Sequence, residues 1–86
     1  MLETTPKPSH PTEIPLADLP LNHEGIVTHI SAGHRATQRL SGMGIIPGTK
    51  IQIISQAPFR GPLQISIRGT RLAIGRGLAY KIMVHK

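Results

Sequence analysis

The sequence contains no cysteine, and no aspartate or glutamate follows Glu24 in its 86 residues. The absence of cysteine excludes disulfide bonds, thiolate zinc sites and a cysteine nucleophile. The segment after Glu24 also lacks the carboxylates that general acid–base catalysis, a Ser-His-Asp triad or a Mg²⁺ site requires. These absences predict a protein that is not an enzyme, has no catalytic residues and requires no cofactor.

The sequence also has no apolar run close to the roughly 20 residues that span a bilayer. Its first 15 residues contain four prolines and no apolar segment of the kind found in signal peptides. We therefore expect a cytoplasmic protein that is not embedded in a membrane. Residues 1–13 alternate proline with polar residues and predict a flexible tail, which leaves residues 14–86 for a single domain.

Basic residues are concentrated where acidic residues are missing. Nine of the ten lysines and arginines follow Glu24, and the formal net charge is +6. A basic segment of this kind favours a negatively charged partner, either an acidic protein surface or nucleic acid. Proteins that bind single-stranded nucleic acid usually stack bases on aromatic rings, and this chain has only Phe59 and Tyr80. A protein partner is therefore favoured, and a basic small-barrel nucleic-acid-binding protein is the alternative.

Hydrophobic periodicity predicts a mostly β fold. Residues 24–30 are rich in β-branched side chains and predict the first strand, and Ala36, Leu40 and Met43 have the spacing of one helical face. Beyond the helix, apolar and polar residues alternate in four segments, marked by Ile51 and Ile53, Ile65 and Ile67, Leu72 and Ile74, and Ile82 and Val84. The predicted fold is an all-β, five-stranded small barrel with a short helical insertion between the first two strands.

Glycine and proline mark the predicted connections. Gly42 and Gly44 are expected to end the helix, and Pro47-Gly48 predicts a type II turn because proline presets φ and glycine accepts a positive φ. Residues 68–70 predict a tight hairpin. Of the apolar pair Ile45 and Ile46, we expect one side chain to face inward.

The best candidate for a contact surface is the loop at residues 57–63. Pro58 and Pro62 stiffen it, and Phe59 beside Arg60 supplies the aromatic and arginine side chains that dominate protein interfaces. The alternative is that Phe59 folds back over one end of the barrel. A second candidate surface is the basic face of the helix. The predicted partner-binding residues are Pro58, Phe59, Arg60, Arg35 and Arg39.

The five histidines do not predict a metal centre. A closed zinc site needs four converging nitrogen or sulfur ligands, and after Glu24 no Cys, Asp or Glu is available beside His29 and His34. We therefore assign no metal ligands. The alternative is weak surface binding of Zn²⁺ or Fe²⁺ by histidines, which could link two copies into a weak homo-oligomer.

The ordered motifs of the domain resemble one known family. Residues 39–51, RLSGMGIIPGTKI, are similar to the signature of the FeoA family, small cytoplasmic proteins of bacterial ferrous-iron uptake. Residues 57–63, APFRGPL, resemble the Gly-Pro loop of that family, and the similarity continues to residues 82–84. Residues 75–78, GRGL, depart from the family pattern because an acidic residue often found there is missing.

The resemblance has implications for both fold and function. It implies an SH3-like barrel with a helical insertion, in agreement with the periodicity. It also implies an accessory or regulatory role at FeoB, a membrane ferrous-iron transporter whose cytoplasmic part is a GTP-binding (G) domain. The expected partner is therefore an FeoB-like transporter and not nucleic acid.

Overall fold

The protein forms an antiparallel sheet with two short helices in its connections, as seen in a computed structural model that describes residues 13–59 and 61–86. The elements in chain order are β1 (Glu13–Pro15), a 3₁₀ turn (Leu16–Asp18), β2 (Glu24–Ile30), α1 (His34–Gly42), β3 (Lys50–Gln56), β4 (Leu63–Ile67), β5 (Thr70–Ile74), α2 (Arg76–Ala79) and β6 (Ile82–His85). The five predicted strands correspond to β2–β6, and α1 lies between the first two of them as predicted. The all-β class is confirmed.

The strands lie in the order β1-β6-β2-β3-β4-β5, and all neighbouring pairs are antiparallel. Consecutive strands from β2 to β5 are neighbours, whereas β6 returns to pair with β2 and brings β1 to its other edge. The first and last strands, β1 and β6, are therefore neighbours in the sheet. The β3–β4 and β4–β5 connections are loops between neighbouring strands.

One hydrophobic core lies against the sheet. Alternate residues of the strands point into it, and Val27, Ile53, Ile65 and Val84 are each at most 1% exposed. Burying a side chain of this size contributes about 1.5–3 kcal/mol to stability. The period-two pattern of the sequence therefore assigns the inward face of β3, β4, β5 and β6 correctly.

The end of α1 is connected tightly to this core. Gly44 has a φ of 90°, the N–H of Gly44 donates to the carbonyl of Ser41, and the N–H of Ile45 donates to the carbonyl of Leu40. This is the hydrogen-bond pattern of a Schellman motif, in which an apolar contact usually accompanies the cap. Leu40 and Ile45 are both fully buried. The cap thus turns Ile45 inward, while Ile46 remains 40% exposed.

The N-terminal strand is a correction to the predicted boundary. Glu13 was placed in the flexible tail, but it is the first residue of β1, pairs with His85 of β6 and is only 1% exposed. Residues 1–12 lie outside the described part of the chain. A three-residue strand is too short to show a periodicity of its own, and pairing with β6 is what orders it.

Candidate functional site

The loop between β3 and β4 presents the most exposed hydrophobic side chain of the described residues. Phe59 is 100% exposed at the tip of this loop, so its ring does not fold back over the sheet. Its backbone has a φ of 58°, a left-handed conformation that is uncommon for a bulky residue. Phe59 therefore combines a fully exposed ring with an unfavourable backbone conformation, which makes it a candidate contact residue.

The loop is held in shape by its own backbone. The N–H of Ala57 donates to the carbonyl of Pro62 at 3.1 Å, and the N–H of Gly61 donates to the carbonyl of Pro58 at 3.1 Å. Pro58 and Pro62 are exposed, and proline restricts φ in both the free and bound states. Because the loop is pre-shaped, little conformational entropy would be lost when it binds a partner. Arg60, the third predicted contact of this loop, lies outside the described residues.

Gly61 allows the loop to close. A Cβ at this position would lie 2.7 Å from the Cβ of Ala57 and 3.2 Å from the carbonyl oxygen of Pro58. Real Cβ atoms do not approach another carbon this closely, so any larger residue would force the loop to shift. The shape of the Phe59 loop therefore depends on this glycine.

The helical candidates lie on a different element. Arg35 and Arg39 are both exposed on α1, one turn apart, and neither forms a salt bridge within residues 13–59 and 61–86. No hydrogen bond connects α1 to the Phe59 loop among the described residues. The structure thus brings Arg35 together with Arg39, and Pro58 together with Phe59, without joining the two groups.

A buried carboxylate was missed by the sequence reasoning. Thr28 Oγ1 donates a hydrogen bond to Glu13 Oε2, and His29 Nδ1 lies 3.2 Å from the same oxygen. The pairing register of β2 with β6 shifts between Val27 and His29, which lets both polar side chains reach Glu13. The expectation that no acid would accompany His29 was therefore wrong, because the acid comes from β1. Glu13 and Thr28 are 15 residues apart, so no short window of sequence carries a signal for the pairing.

The described histidines do not assemble a metal centre. In residues 13–59 and 61–86, no group of three or more His, Asp or Glu side chains is arranged to hold a metal ion. His29 is half exposed and is held on one side by Glu13. This arrangement fixes β1 to the sheet and offers at most two protein ligands, short of the four of a closed structural site.

The helices are also short. Among the described residues, none of them has the length and apolar character needed to cross a bilayer. The candidate site presents one exposed aromatic ring on a loop and, on a helix, two guanidinium groups that form no salt bridge among the described residues.

Comparison with known proteins identifies relatives along nearly the whole described chain. The model of the FeoA domain family matches residues 14–86. A Methanocaldococcus jannaschii protein described as "Putative Fe(2+) transport protein A" is 50% identical over 70 residues, which is 81% of this chain and 83% of that protein.

Solved structures have the same fold. The crystal structure of an iron uptake regulatory protein, FeoA, is 44% identical with a TM-score of 0.78, covering 85% of this chain and 96% of that one. Stenotrophomonas maltophilia FeoA, a prokaryotic SH3 domain protein solved with zinc, is 25% identical with a TM-score of 0.70, covering 80% of this chain and 86% of that one. The predicted SH3-like fold with a helical insertion is therefore confirmed.

Proposed function

The chain belongs to the FeoA family, and on this premise we propose that it is a non-enzymatic, cytoplasmic accessory protein of ferrous-iron uptake that docks on the G domain of an FeoB-like transporter. The relatives named for Fe(2+) transport and iron uptake regulation support the iron-uptake context. The proposed docking on the transporter is supported by the exposed residues of this chain.

The observation that carries the proposal is the full exposure of Phe59. An aromatic side chain gains the most binding free energy when it enters a desolvated pocket on a partner, and such anchors dominate protein interfaces. Phe59 contributes nothing to the core, and its backbone conformation is unfavourable for phenylalanine. Both facts are explained if the ring is buried only in the complex.

The basic helix face supplies a second, electrostatic contact. Arg35 and Arg39 are exposed and unpaired within the described residues, so an acidic partner surface can bind them without breaking an internal ion pair. Charges of this kind mainly steer association and set its salt dependence. Regulation of the transporter further requires that the protein bind two conformations of its partner with different affinities, because equal affinity shifts no equilibrium.

The test is a binding titration between the full-length protein and the purified G domain of the FeoB transporter from the same host. We expect Phe59→Ala to weaken binding at least about tenfold, as loss of an interface anchor does. The matched control is Tyr80→Ala, since Tyr80 is a half-exposed aromatic residue outside the loop. Arg35→Glu with Arg39→Glu should lower the association rate and flatten its salt dependence.

Complementation of a deletion strain connects binding to function. Ferrous-iron uptake should be restored by the wild-type protein and by Tyr80→Ala, and should be reduced with Phe59→Ala. If Phe59→Ala binds the G domain and restores uptake as the wild type does, the loop is not the docking surface. If the protein instead binds RNA or DNA with steep salt dependence and uptake is unaffected, the nucleic-acid alternative replaces the proposal.

A further inference from the structure

A polar hollow of about 380 Å³ lies on the sheet, and no described residue of the Phe59 loop lines it. It covers β2, β3 and β4 and is bordered by the turns that contain Gly48 and Gly69. Glu24, Gln52 and Ser66 form one row across these strands, as their pairing register shows. The residues that give the hollow its chemistry are Lys50, Arg68, Ser66, Gln52, Thr49 and Glu24.

Two cations line this hollow without a partner. Neither Lys50 nor Arg68 forms a salt bridge or a side-chain hydrogen bond within residues 13–59 and 61–86. Glu24 lines the same hollow, yet its carboxylate is not within the 4.0 Å that defines a salt bridge with either cation. Two positive charges against one negative charge leave the hollow cationic.

The backbone conformation of Arg68 is one that disfavours arginine. Arg68 and Gly69 are the two turn residues of the β4–β5 hairpin, with φ values of 51° and 82°. Two-residue hairpins with positive φ at both positions strongly favour Asn, Asp or Gly at the first. An arginine in this conformation is unfavourable, so the turn itself does not account for the guanidinium.

The side chains that line the hollow favour binding of a phosphate group. A guanidinium offers a planar fork of donors to phosphate oxygens, and an ammonium adds a point charge. The volume is within the range of small-molecule sites and accepts a phosphate together with the group to which it is attached. Neither Phe59 nor Tyr80 lines the hollow, so the stacking surface expected for a single nucleic-acid strand is not beside it.

We propose that this hollow is a binding site for the terminal phosphate of a small phosphate-bearing molecule, with Arg68 and Lys50 as the anion-binding residues. Ser66 donates a further hydrogen bond, and the carboxylate of Glu24 lowers the affinity for the anion by charge repulsion. The site is separate from the proposed docking loop, and its occupation does not depend on a transporter partner.

The test is a titration of the isotope-labelled full-length protein with inorganic phosphate, pyrophosphate and a short oligothymidylate, at constant ionic strength. Amide resonances of Gly48, Ser66 and Gly69 report on the hollow. We expect saturable shifts with phosphate and pyrophosphate. Arg68→Asn and Lys50→Gln should each weaken pyrophosphate binding about tenfold, the effect of losing one charged hydrogen bond. Glu24→Gln should strengthen it severalfold.

The variants separate binding from folding. Asparagine favours the backbone conformation of position 68, so Arg68→Asn should melt at the same temperature as the wild type or higher while losing affinity. Lys81→Gln is the matched control for Lys50→Gln, since Lys81 is exposed and does not line the hollow. The proposal is overturned if Lys81→Gln weakens binding as much as Lys50→Gln. It is also overturned if oligothymidylate binds more tightly than pyrophosphate, because the source would then be a nucleic-acid backbone.

Discussion

Two connections of this protein contain similar residue types and differ in exposure. Residues 44–49 (the inner turn) and residues 57–62 (the outer loop) each combine glycine, proline and a large apolar side chain. In the inner turn Ile45 is fully buried, and in the outer loop Phe59 is fully exposed. Composition alone does not distinguish a connection with a buried apolar side chain from one with an exposed apolar side chain.

The difference lies in the hydrogen-bond partners of the backbone. In the inner turn the N–H of Gly48 donates to Val27 of β2 at 2.7 Å, and the N–H of Ile45 donates to Leu40 of α1 at 2.8 Å. Among the described residues of the outer loop, the backbone bonds join Ala57 to Pro62 and Gly61 to Pro58, within the loop. The inner turn is therefore bonded to α1 and β2, and the described part of the outer loop has no such backbone bond to another element.

The largest expected loss of stability follows truncation of the buried Ile45 side chain in the inner turn. Ile45→Ala should lower the free energy of unfolding by about 2–5 kcal/mol, because a fully buried aliphatic side chain is replaced by a cavity. Urea denaturation measures the change. Ile46→Ala is the control, since Ile46 is 40% exposed and its truncation should lower the free energy of unfolding much less. Equal losses for the two variants would show that the inner turn is not anchored through Ile45.

A smaller loss of stability is expected from a substitution that strains the backbone of the inner turn at Gly48. Gly48 has a φ of 93°, and a Cβ there would meet no atom within 4 Å. Gly48→Ala should therefore cost about 1–2 kcal/mol from conformational strain alone, since the left-handed region disfavours residues with a Cβ. Thermal and urea unfolding of the variant give this value. No loss of stability would mean that the turn adopts another conformation.

In the outer loop, substitution of Phe59 is expected to increase the stability of the fold. Phe59→Asn should raise the free energy of unfolding by about 0.5–1 kcal/mol, because asparagine tolerates a positive φ better than phenylalanine and no core contact is lost. The same variant should lose affinity for the transporter G domain. Denaturation and binding titrations on one preparation test both statements, and a destabilised variant would show that the ring has a structural role.

The smallest effect on stability is expected at Gly61. Gly61→Ala brings a Cβ to 2.7 Å from the Cβ of Ala57, so the outer loop must rearrange. Because this loop is bonded only to itself, the free energy of unfolding should change by no more than about 0.5 kcal/mol. Amide chemical shifts should move only in residues 57–63, while docking weakens. Shifts that spread into β2 would contradict the separation of loop and sheet.

Local patterns predicted much of the fold. The first predicted strand, residues 24–30, matches β2, and the type II turn at Pro47-Gly48 is supported by the positive φ of Gly48 and a hydrogen bond from Thr49 to Ile46. These features depend on residues that are neighbours in sequence, so propensity and periodicity are sufficient to predict them.

Features that depend on distant residues were not predicted. Glu13 is buried only because β6 carries β1 to the sheet and a shift of register turns Thr28 and His29 toward it. The sequence pattern predicts that Arg68 lies in a hairpin turn. It does not predict that Arg68 lies beside Lys50, because that proximity arises from the pairing of β3 with β4. Neither relation has a signal within a short window of sequence.

The amino-acid sequence by itself determined α1, the strands β2 to β6, the inward face of β3 to β6 and the absence of acidic residues after Glu24. Tertiary structure decided which polar and apolar side chains became available to other molecules: it buried Ile45, exposed Phe59, paired Glu13 with His29 and left Lys50 and Arg68 unpaired around one hollow. The physical reason is that strand periodicity is a local property, whereas burial and charge pairing depend on which strands become neighbours in the sheet.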